Sequence, residues 1–301
     1  MGKGGQITRR SLLAGLLGLA ALWPLWPRAA ASARAPLPVG DEPTGNGATP
    51  GAMPLSELVG ERLTFDIGFW VFSRAGQVVV ELAPFPGRPN LYEARMFGQT
   101  SGVIGFFTRY RKDVYRSIME LAGGRLRPLE FQEEVIIGSE LRRRRTTVFN
   151  YAAGKVTRRK LAKGGAVETD ELPMAAGLLY DDYLSGIYNL RSGAYGPLRE
   201  GRAYTLNLPK PKGGTVRLEV ASRQEAVRLL SREGCREGKA FHCRVFMDKD
   251  LLDSRSGRMG GWFSAQGVPL GGVIEDVALF GDVTGRLASR QVSRPSVSSD
   301  V

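Results

Sequence analysis

Apolar and polar residues alternate with a period of two along much of this chain. In the segment 62–71 every second residue is large and apolar, the set being Leu63, Phe65, Ile67, Phe69 and Val71. Such alternation predicts a β-strand that buries one face. The same kind of pattern predicts strands at 77–82, 91–99, 110–119, 129–137, 142–151, 155–161, 204–208, 216–220, 227–232, 240–246, 259–264, 272–279 and 282–288.

Turn signals separate these segments, as in Ala122-Gly123-Gly124 and Ala153-Gly154-Lys155. Short connections between successive strands favour antiparallel neighbours. About fourteen strands with no strand–helix alternation predict an all-β, mainly antiparallel fold. Because flat sheets of this width are unusual, we expect the sheet to curl into an open barrel or half-barrel.

The alternation breaks once, where apolar residues recur at helical spacing. Tyr183, Leu184, Ile187 and Tyr188 predict one short amphipathic helix over 181–190, with Asp181 as its N-cap. We expect this helix to cover one open end of the curved sheet, where its apolar face would be buried. It would act there either as a lid over a cavity or as part of a packed core.

The first 33 residues have the pattern of an export signal. Arg9 and Arg10 precede a weakly apolar run at 12–25 and a small-residue segment at 29–33. The paired arginines favour the twin-arginine route, with the general secretory route and an uncleaved anchor as alternatives. The run is shorter than the roughly 20 residues of a membrane-spanning helix. We therefore expect a periplasmic protein of a Gram-negative envelope, with the export machinery as a transient partner.

Composition divides the rest of the chain into three parts. Residues 34–54 are rich in Pro and Gly and predict a flexible linker. Residues 55–291 carry the strand patterns and predict a single β domain, whereas the Ser-rich tail at 292–301 is expected to be disordered. No cysteine occurs before Cys235, so the sequence does not predict a lipoprotein.

The chain is basic, with a formal net charge of +12. Residues 1–35 hold five basic residues and no acidic one, so the remainder is still positively charged. A basic exported protein is suited to anionic lipid or acidic glycan, although positive charge also simply maintains solubility. Nucleic acid is not an expected partner in that compartment.

Two cysteines, Cys235 and Cys243, lie close together on either side of a predicted turn. In an oxidising compartment this spacing predicts one disulfide between the two arms of a hairpin, with two free thiols as the alternative.

No set of residues in the sequence predicts catalysis. The single histidine, His242, has no ligand set or nucleophile around it and is expected to lie on a strand facing solvent. We therefore expect no metal, no cofactor and no enzymatic activity.

Arginines and aromatic residues are the candidates for ligand binding. Residues 142–145 are four consecutive arginines, and on a strand Arg142 and Arg144 share one face. Turned inward, they would need an anionic partner, which is either a ligand headgroup or the acids at 130–134. The alternative is an exposed strand protected by charge. Four aromatic residues could enclose an apolar ligand or belong to an ordinary core: Phe65, Phe69, Tyr183 and Tyr188.

Several segments resemble an exported bacterial family known as domain of unknown function 3108. They include the opening strand at 60–65, the Thr-Ser-Gly-Val-Ile-Gly-Phe-Phe block at 100–107, and the helix with Asp182, Ser185, Tyr188 and Arg191. The segments follow one another in the order expected for the family, and the resemblance covers about residues 58–290. The resemblance implies an envelope protein with a curved β-sheet and no established activity; the cysteine pair departs from the family pattern.

Three functions are consistent with these patterns. The leading prediction is a non-catalytic envelope protein that binds or carries an apolar or anionic-headgroup ligand such as a lipid. The alternatives are a structural or assembly factor that binds another envelope protein through a sheet edge, and a hydrolase. A measured cavity volume would best separate the carrier from the other two.

Overall fold

The computed structural model describes residues 52–70, 72–161, 165–210, 214–233, 241–247, 254–277 and 280–293. The predicted export signal with Arg9 and Arg10, all but the end of the predicted linker, and most of the predicted tail lie outside these ranges. The strands are β1 Glu61–Phe69, β2 Phe72–Pro84, β3 Leu91–Thr100, β4 Lys112–Ala122, β5 Arg125–Ile137, β6 Glu140–Asn150, β7 Lys155–Leu161, β8 Val167–Pro173, β9 Ala203–Leu208, β10 Gly214–Val220, β11 Phe241–Phe246, β12 Arg258–Phe263, β13 Pro269–Val277 and β14 Gly281–Val292. The helices are α1 Leu55–Leu58, α2 Gly102–Phe107, α3 Tyr183–Arg191 and α4 Arg223–Glu233.

All fourteen strands form one open sheet in the order β8-β7-β6-β5-β4-β3-β2-β1-β14-β13-β12-β11-β10-β9. Every pairing in it is antiparallel, so the all-β, mainly antiparallel prediction is confirmed. The two ends of the β region meet in the middle of the sheet, where β1 pairs with β14. The edge strands β8 and β9 lie on either side of α3 in the chain, and the sheet curves around that helix.

The core lies on the inner face of the sheet, as the alternation predicted. Along β1 the inward positions Leu63, Phe65 and Ile67 are buried, and the intervening residues are more exposed. Inward residues of neighbouring strands, such as Leu82 and Met119, join them in one apolar cluster with Leu184 and Tyr188 of α3. Burial of these side chains provides most of the driving force for the fold.

α3 is buried on nearly all sides, which the amphipathic pattern did not predict. Leu184, Tyr188 and Asn189 have no exposed surface, and only Tyr183 and Ile187 are half-buried within the helix. Its N-cap is Asp182 and not Asp181: the Asp182 carboxylate accepts hydrogen bonds from the backbone N–H groups of Leu184 and Ser185 at 2.8 Å. α3 is therefore part of the packed core, not a lid.

Three sequence predictions of secondary structure were wrong. The described residues contain three helices besides α3, namely α1, α2 and α4. The strand expected at 227–232 is instead part of α4, because its apolar residues lie in a run of strong helix formers, with Glu, Arg, Leu and Ala along 223–233. β8 was missed because its residues are nearly all exposed, so that they show no alternation. No helix within the described ranges is long and apolar enough to cross a membrane.

Candidate binding surface at the α2 end of the sheet

The two ends of the curved sheet differ sharply in what covers them. We call them the α3 end, which contains the start of β1 and the β4–β5 and β12–β13 turns, and the α2 end, which contains the β1–β2, β3–β4 and β13–β14 connections. α3 packs against β3, β4 and β5 and closes the first end. The second end carries α2 and several uncovered aromatic side chains.

A buried ion network fixes the α3 end. The Arg191 guanidinium donates to both carboxylate oxygens of Glu61 at 2.6 and 2.9 Å, and its Nε donates to the carbonyl oxygen of Gly267 at 3.1 Å. Arg290 also donates to Glu61, at 2.7 Å. The Arg191 and Glu61 side chains are 1% and 0% exposed. Helix α3 is thus joined to β1 and the β12–β13 turn through groups that solvent cannot reach, and β14 adds the partly exposed Arg290.

A second polar cluster joins the start of α3 to β4 and β5. Ser117 donates to the Asp182 carboxylate at 2.5 Å, and Asn189 bonds to both the N–H and the C=O of Leu126 at 2.8 Å. Arg125 pairs with Asp181. Burial raises the pKa of Asp182 to about 6, against the hydrogen bonds from Ser117 and the helix backbone that favour its charged form. The polar groups of this cluster are hydrogen-bonded or ion-paired to one another. They therefore hold α3 in place against β4 and β5.

At the α2 end an apolar crevice opens between the sheet and α2. The Phe69 and Phe280 rings lie 4.9 Å apart at one side of it. Its apolar lining comes mainly from Ile67, Phe69, Ala75, Val78, Ile104 and Phe280. The cavity has a volume of about 20 Å³, which is room for about one water molecule and far below the few hundred Å³ of a ligand pocket.

Around this crevice lies an exposed apolar surface. We call it the aromatic surface and define it as Trp70, Val103, Phe106, Phe107 and Tyr110. The exposed fractions are 75% for Trp70, 59% for Val103, 70% for Phe106, 76% for Phe107 and 50% for Tyr110. The crevice links its two parts, because its lining includes Phe69, next to Trp70, and Ile104 of α2. Clustered exposed apolar side chains of this kind mark interaction sites in folded proteins.

The backbone is strained where it presents this surface. Trp70, Arg109 and Tyr110 have positive φ angles of 50°, 55° and 49°. This left-handed conformation costs a non-glycine residue about 1–2 kcal/mol. The strain has a visible consequence at Tyr110, whose ring packs over Gly105, where an added Cβ would lie 2.9 Å from ring atoms. Strain of this kind clusters at functional sites, so it supports a binding role for the aromatic surface.

A buried ion pair lies beneath the crevice. Arg111 donates to both oxygens of Asp113 at 2.7 and 2.6 Å, and both side chains are 6% exposed. Burial raises the pKa of Asp113, whereas the charges of Arg111 and Arg143 act in the opposite direction. Both residues line the crevice, so its lining is apolar apart from this ion pair and a few polar side chains.

The sequence left the direction of the arginine run open, and in the structure it lies on a largely exposed strand, β6. Arg142 and Arg144 lie on the outer face, half exposed, with ion-pair partners Glu140 and Glu134. Regular pairing of β6 with β5 from Arg143 to Val148 places Arg143 and Arg145 on the same face as the buried Phe149. Arg143 is half-buried there, and its charge acts to lower the pKa of Asp113 against the effect of burial. Its buried Nε has no hydrogen-bond partner within the described part of the chain.

The aromatic candidates do not converge on one site. Phe65 is packed in the core, and only Phe69 reaches the crevice. Tyr183 packs edge-on against Phe131, with 5.6 Å between the ring centroids. Tyr188 is fully buried within α3. Three of the four are therefore ordinary core residues.

The disulfide between Cys235 and Cys243 stays a prediction, because Cys235 lies among residues whose placement is not described. Cys243 is a free, fully buried thiol on β11, and burial raises the pKa of that thiol well above its usual range. The predicted hairpin is wrong, because α4 precedes β11 where the first strand arm was expected. His242 is buried against Trp262, with ring centroids 4.3 Å apart, and does not face solvent as expected.

Sequence analysis missed the aromatic surface, although signals for it were present. Trp70 directly follows β1 and continues the polar side of the alternation in 62–71, which indicates an exposed aromatic residue. Residues 102–107 consist of two glycines and four apolar residues and carry no charge. This composition is typical of neither a buried strand nor a solvated turn. Among the described residues, no group of three or more His, Cys, Asp or Glu side chains is placed to hold a metal ion.

These features define a class of protein: an open antiparallel β-sheet wrapped around one buried helix, closed at one end and bearing an exposed aromatic surface at the other. A family model described as "Protein of unknown function (DUF3108)" matches residues 64–286, and the chain belongs to this family. Among solved structures, the chain is similar to a beta-barrel-like protein of domain of unknown function DUF1849 from Brucella abortus. That similarity has 12% identity and a TM-score of 0.45, and covers 79% of this chain and all of the other. No match is found among curated proteins.

Proposed function

We propose that this protein is a non-catalytic binding protein of the bacterial envelope, and that it binds an apolar partner through the aromatic surface. The observation that carries the proposal is the contrast between the two ends of the sheet. The α3 end is closed by satisfied buried ion pairs such as Arg191–Glu61. The α2 end leaves Trp70, Phe106 and Phe107 at least 70% exposed, and the backbone is strained at Trp70.

The small cavity favours one of two forms of this function. A carrier that encloses a lipid needs several hundred Å³, whereas the crevice offers about 20 Å³. This difference favours contact at the surface over transport inside the sheet. Arg143, whose Nε lacks a partner within the described ranges, would suit a partner that also bears an anionic group.

Assembly through a sheet edge is less well supported. The edge strand β8 carries Glu168, Asp170 and Glu171, whose side chains are more than half exposed and pair with basic residues of β7. A charged edge of this kind discourages the addition of another strand. An assembly role would therefore use the aromatic surface. The envelope location rests on the predicted export signal at 1–33, in which Arg9 and Arg10 precede the apolar run.

The proposal can be tested with a fluorescent apolar probe, N-phenylnaphthylamine, titrated against the purified protein. We expect saturable binding that is lost in the double variant Phe106→Ser with Phe107→Ser. The matched control is Val167→Ser on β8, which removes a similarly exposed apolar side chain (61%) far along the sheet. Equal probe binding by the double variant and the control would refute the proposal.

A further inference from the structure

We propose that the aromatic surface docks on the surface of a lipid bilayer that contains anionic lipid. This inference rests on the proposed function and names its partner. The shape of the site is the first argument. The exposed side chains project from two short connections, the β1–β2 turn with Trp70 and the α2 segment with Phe106 and Phe107. Side chains at the tips of loops can insert into the headgroup region without any movement of the sheet.

The chemistry of these side chains is the second argument. Trp and Tyr are enriched at the membrane–water interface, where their rings occupy the headgroup level, and Phe and Val reach further into the acyl region. The aromatic surface combines Trp70 and Tyr110 with Val103, Phe106 and Phe107. The positive φ angles of Trp70 and Tyr110 belong to the backbone that carries these two rings outward.

Charge supplies the third argument. Residues 101–112 contain Arg109, Arg111 and Lys112 and no acidic residue. Arg111 is neutralised by Asp113, but Arg109 is exposed beside Tyr110 and Lys112 is half-buried at the start of β4. Arg74 of β2 is also highly exposed, with an ion pair to Asp66. Basic residues next to exposed aromatic residues complement an anionic membrane surface.

The small size of the crevice favours a bilayer over a protein partner. A protein interface anchors on side chains that enter well-packed pockets. The apolar crevice beside the surface holds only about 20 Å³, so it cannot accept a partner's side chain. Fluid lipid needs no complementary pocket, because it adapts to protruding rings.

Vesicle flotation with the chain as the cell processes it tests the inference. We expect binding to vesicles of equal parts phosphatidylglycerol and phosphatidylethanolamine, and at least tenfold weaker binding to neutral phosphatidylcholine vesicles. Phe106→Ser with Phe107→Ser should weaken binding to anionic vesicles at least tenfold, Arg109→Glu severalfold, and the control Val167→Ser less than twofold. Added salt should weaken binding, because it screens the attraction between the basic residues beside the aromatic surface and the anionic lipid.

Tryptophan fluorescence gives an independent readout, because it detects lipid contact directly in the parent protein. Trp262 is 1% exposed and Trp70 is 75% exposed, so of these two only Trp70 can report on contact with lipid. We expect anionic vesicles to shift the tryptophan emission to the blue, and brominated lipid to quench it. Both effects should disappear in Trp70→Phe.

Each outcome has a distinct meaning. Probe binding without vesicle binding overturns this inference and leaves the proposed function in place. Vesicle binding that persists in the Phe106/Phe107 double variant, with Trp70 unquenched, also overturns it, because the contact then lies elsewhere. Binding to an envelope protein that depends on Phe106 and Phe107, with no vesicle binding, overturns the inference in favour of assembly. If neither the probe nor the vesicles bind, the proposed function fails as well.

Discussion

Replacement of Arg191 by methionine is the sharpest test of how this fold is held together. Arg191 is the last residue of α3, and its guanidinium makes three hydrogen bonds of 2.6–3.1 Å to Glu61 and Gly267. Methionine keeps much of the side-chain length and helix propensity but removes the charge and all five donors. The Glu61 carboxylate would then remain buried with Arg290 as its only cation, and the Gly267 carbonyl oxygen would lose its donor.

The expected cost follows from the burial of both partners. Removing one member of a buried ion pair costs about 3–5 kcal/mol, because the other charge is left without compensation. Arg290 still donates to Glu61 and is 34% exposed, so the lower part of that range applies, about 3 kcal/mol. For a domain of roughly 150–250 residues this corresponds to a fall of about 6–12 °C in the melting temperature.

Urea unfolding followed by circular dichroism measures this loss, and Arg290→Met is the matched control. The control removes the more exposed cation of the same carboxylate, so we expect it to cost about 1 kcal/mol. An unchanged m-value would show that the unfolded state is not responsible. A loss below 1 kcal/mol for Arg191→Met, or equal losses for the two variants, would refute the view that this pair locks α3 to β1.

Three further predictions test separate parts of the structure. Trp70→Asn should leave the stability within about 1 kcal/mol of the parent or raise it, because asparagine tolerates a positive φ, while binding of the apolar probe falls; a large loss of stability would show that Trp70 is a core residue. Burial raises the pKa of Asp182 to about 6 from its ordinary value near 3.8, so the folded state binds this proton more tightly than the unfolded state and the contribution of Asp182 to stability should rise as the pH falls from 7 to 4. Asp182→Asn should remove that part of the pH dependence. Identical profiles of unfolding free energy against pH for the parent and the variant would contradict the assignment. Cys243 should titrate as a free thiol after denaturation without reductant and react only slowly in the native state, whereas an unreactive Cys243 in denatured protein would restore the disulfide.

The export signal gives a further prediction. Lysine at both Arg9 and Arg10 should leave unprocessed chain in the cytoplasm, because the twin-arginine route requires the arginine pair. Immunoblotting of fractionated cells measures it. Normal processing of this double variant would exclude that route while leaving the general secretory route open.

The sheet could be predicted from the sequence because its signal is local and repeated. Alternation along β1 specifies which face of the strand is buried, and Leu63, Phe65 and Ile67 are all inward as predicted. The antiparallel order followed from the short connections between strands. The pairing of β1 with β14 could not be predicted, since it joins residues more than 200 positions apart and depends on the whole sheet.

The errors have physical causes that can be traced to particular residues. The sequence left the direction of the arginines on β6 open because this strand has few large apolar residues to mark its inner face; the buried Phe149 places Arg143 and Arg145 on that face. The full burial of α3 depends on Arg191 and Asn189, polar residues that a hydrophobic pattern assigns to solvent. They are buried because Glu61 and the backbone of Leu126, distant in sequence, satisfy their hydrogen bonds.

The candidate site was the least predictable part, because it consists of residues that violate the pattern. Phe106 and Phe107 read as core residues in any hydrophobicity count, yet they are the most exposed residues of α2. What places them outside is the brevity of α2 and the approach of Tyr110 to Gly105, which only the three-dimensional structure reveals. Phe69 was one of several aromatic candidates in the sequence, and its position at the crevice could not be predicted.

The central claim is that the α2 end is the surface through which this protein acts, and site-specific photo-crosslinking in living cells tests it most directly. A photoreactive phenylalanine analogue would replace Phe107 in one strain and Val167, exposed to a similar degree on β8, in the other. The account predicts cross-linked lipid at position 107 and none at position 167. Cross-links at position 167 with none at position 107 would contradict it, because the partner would then bind at the sheet edge.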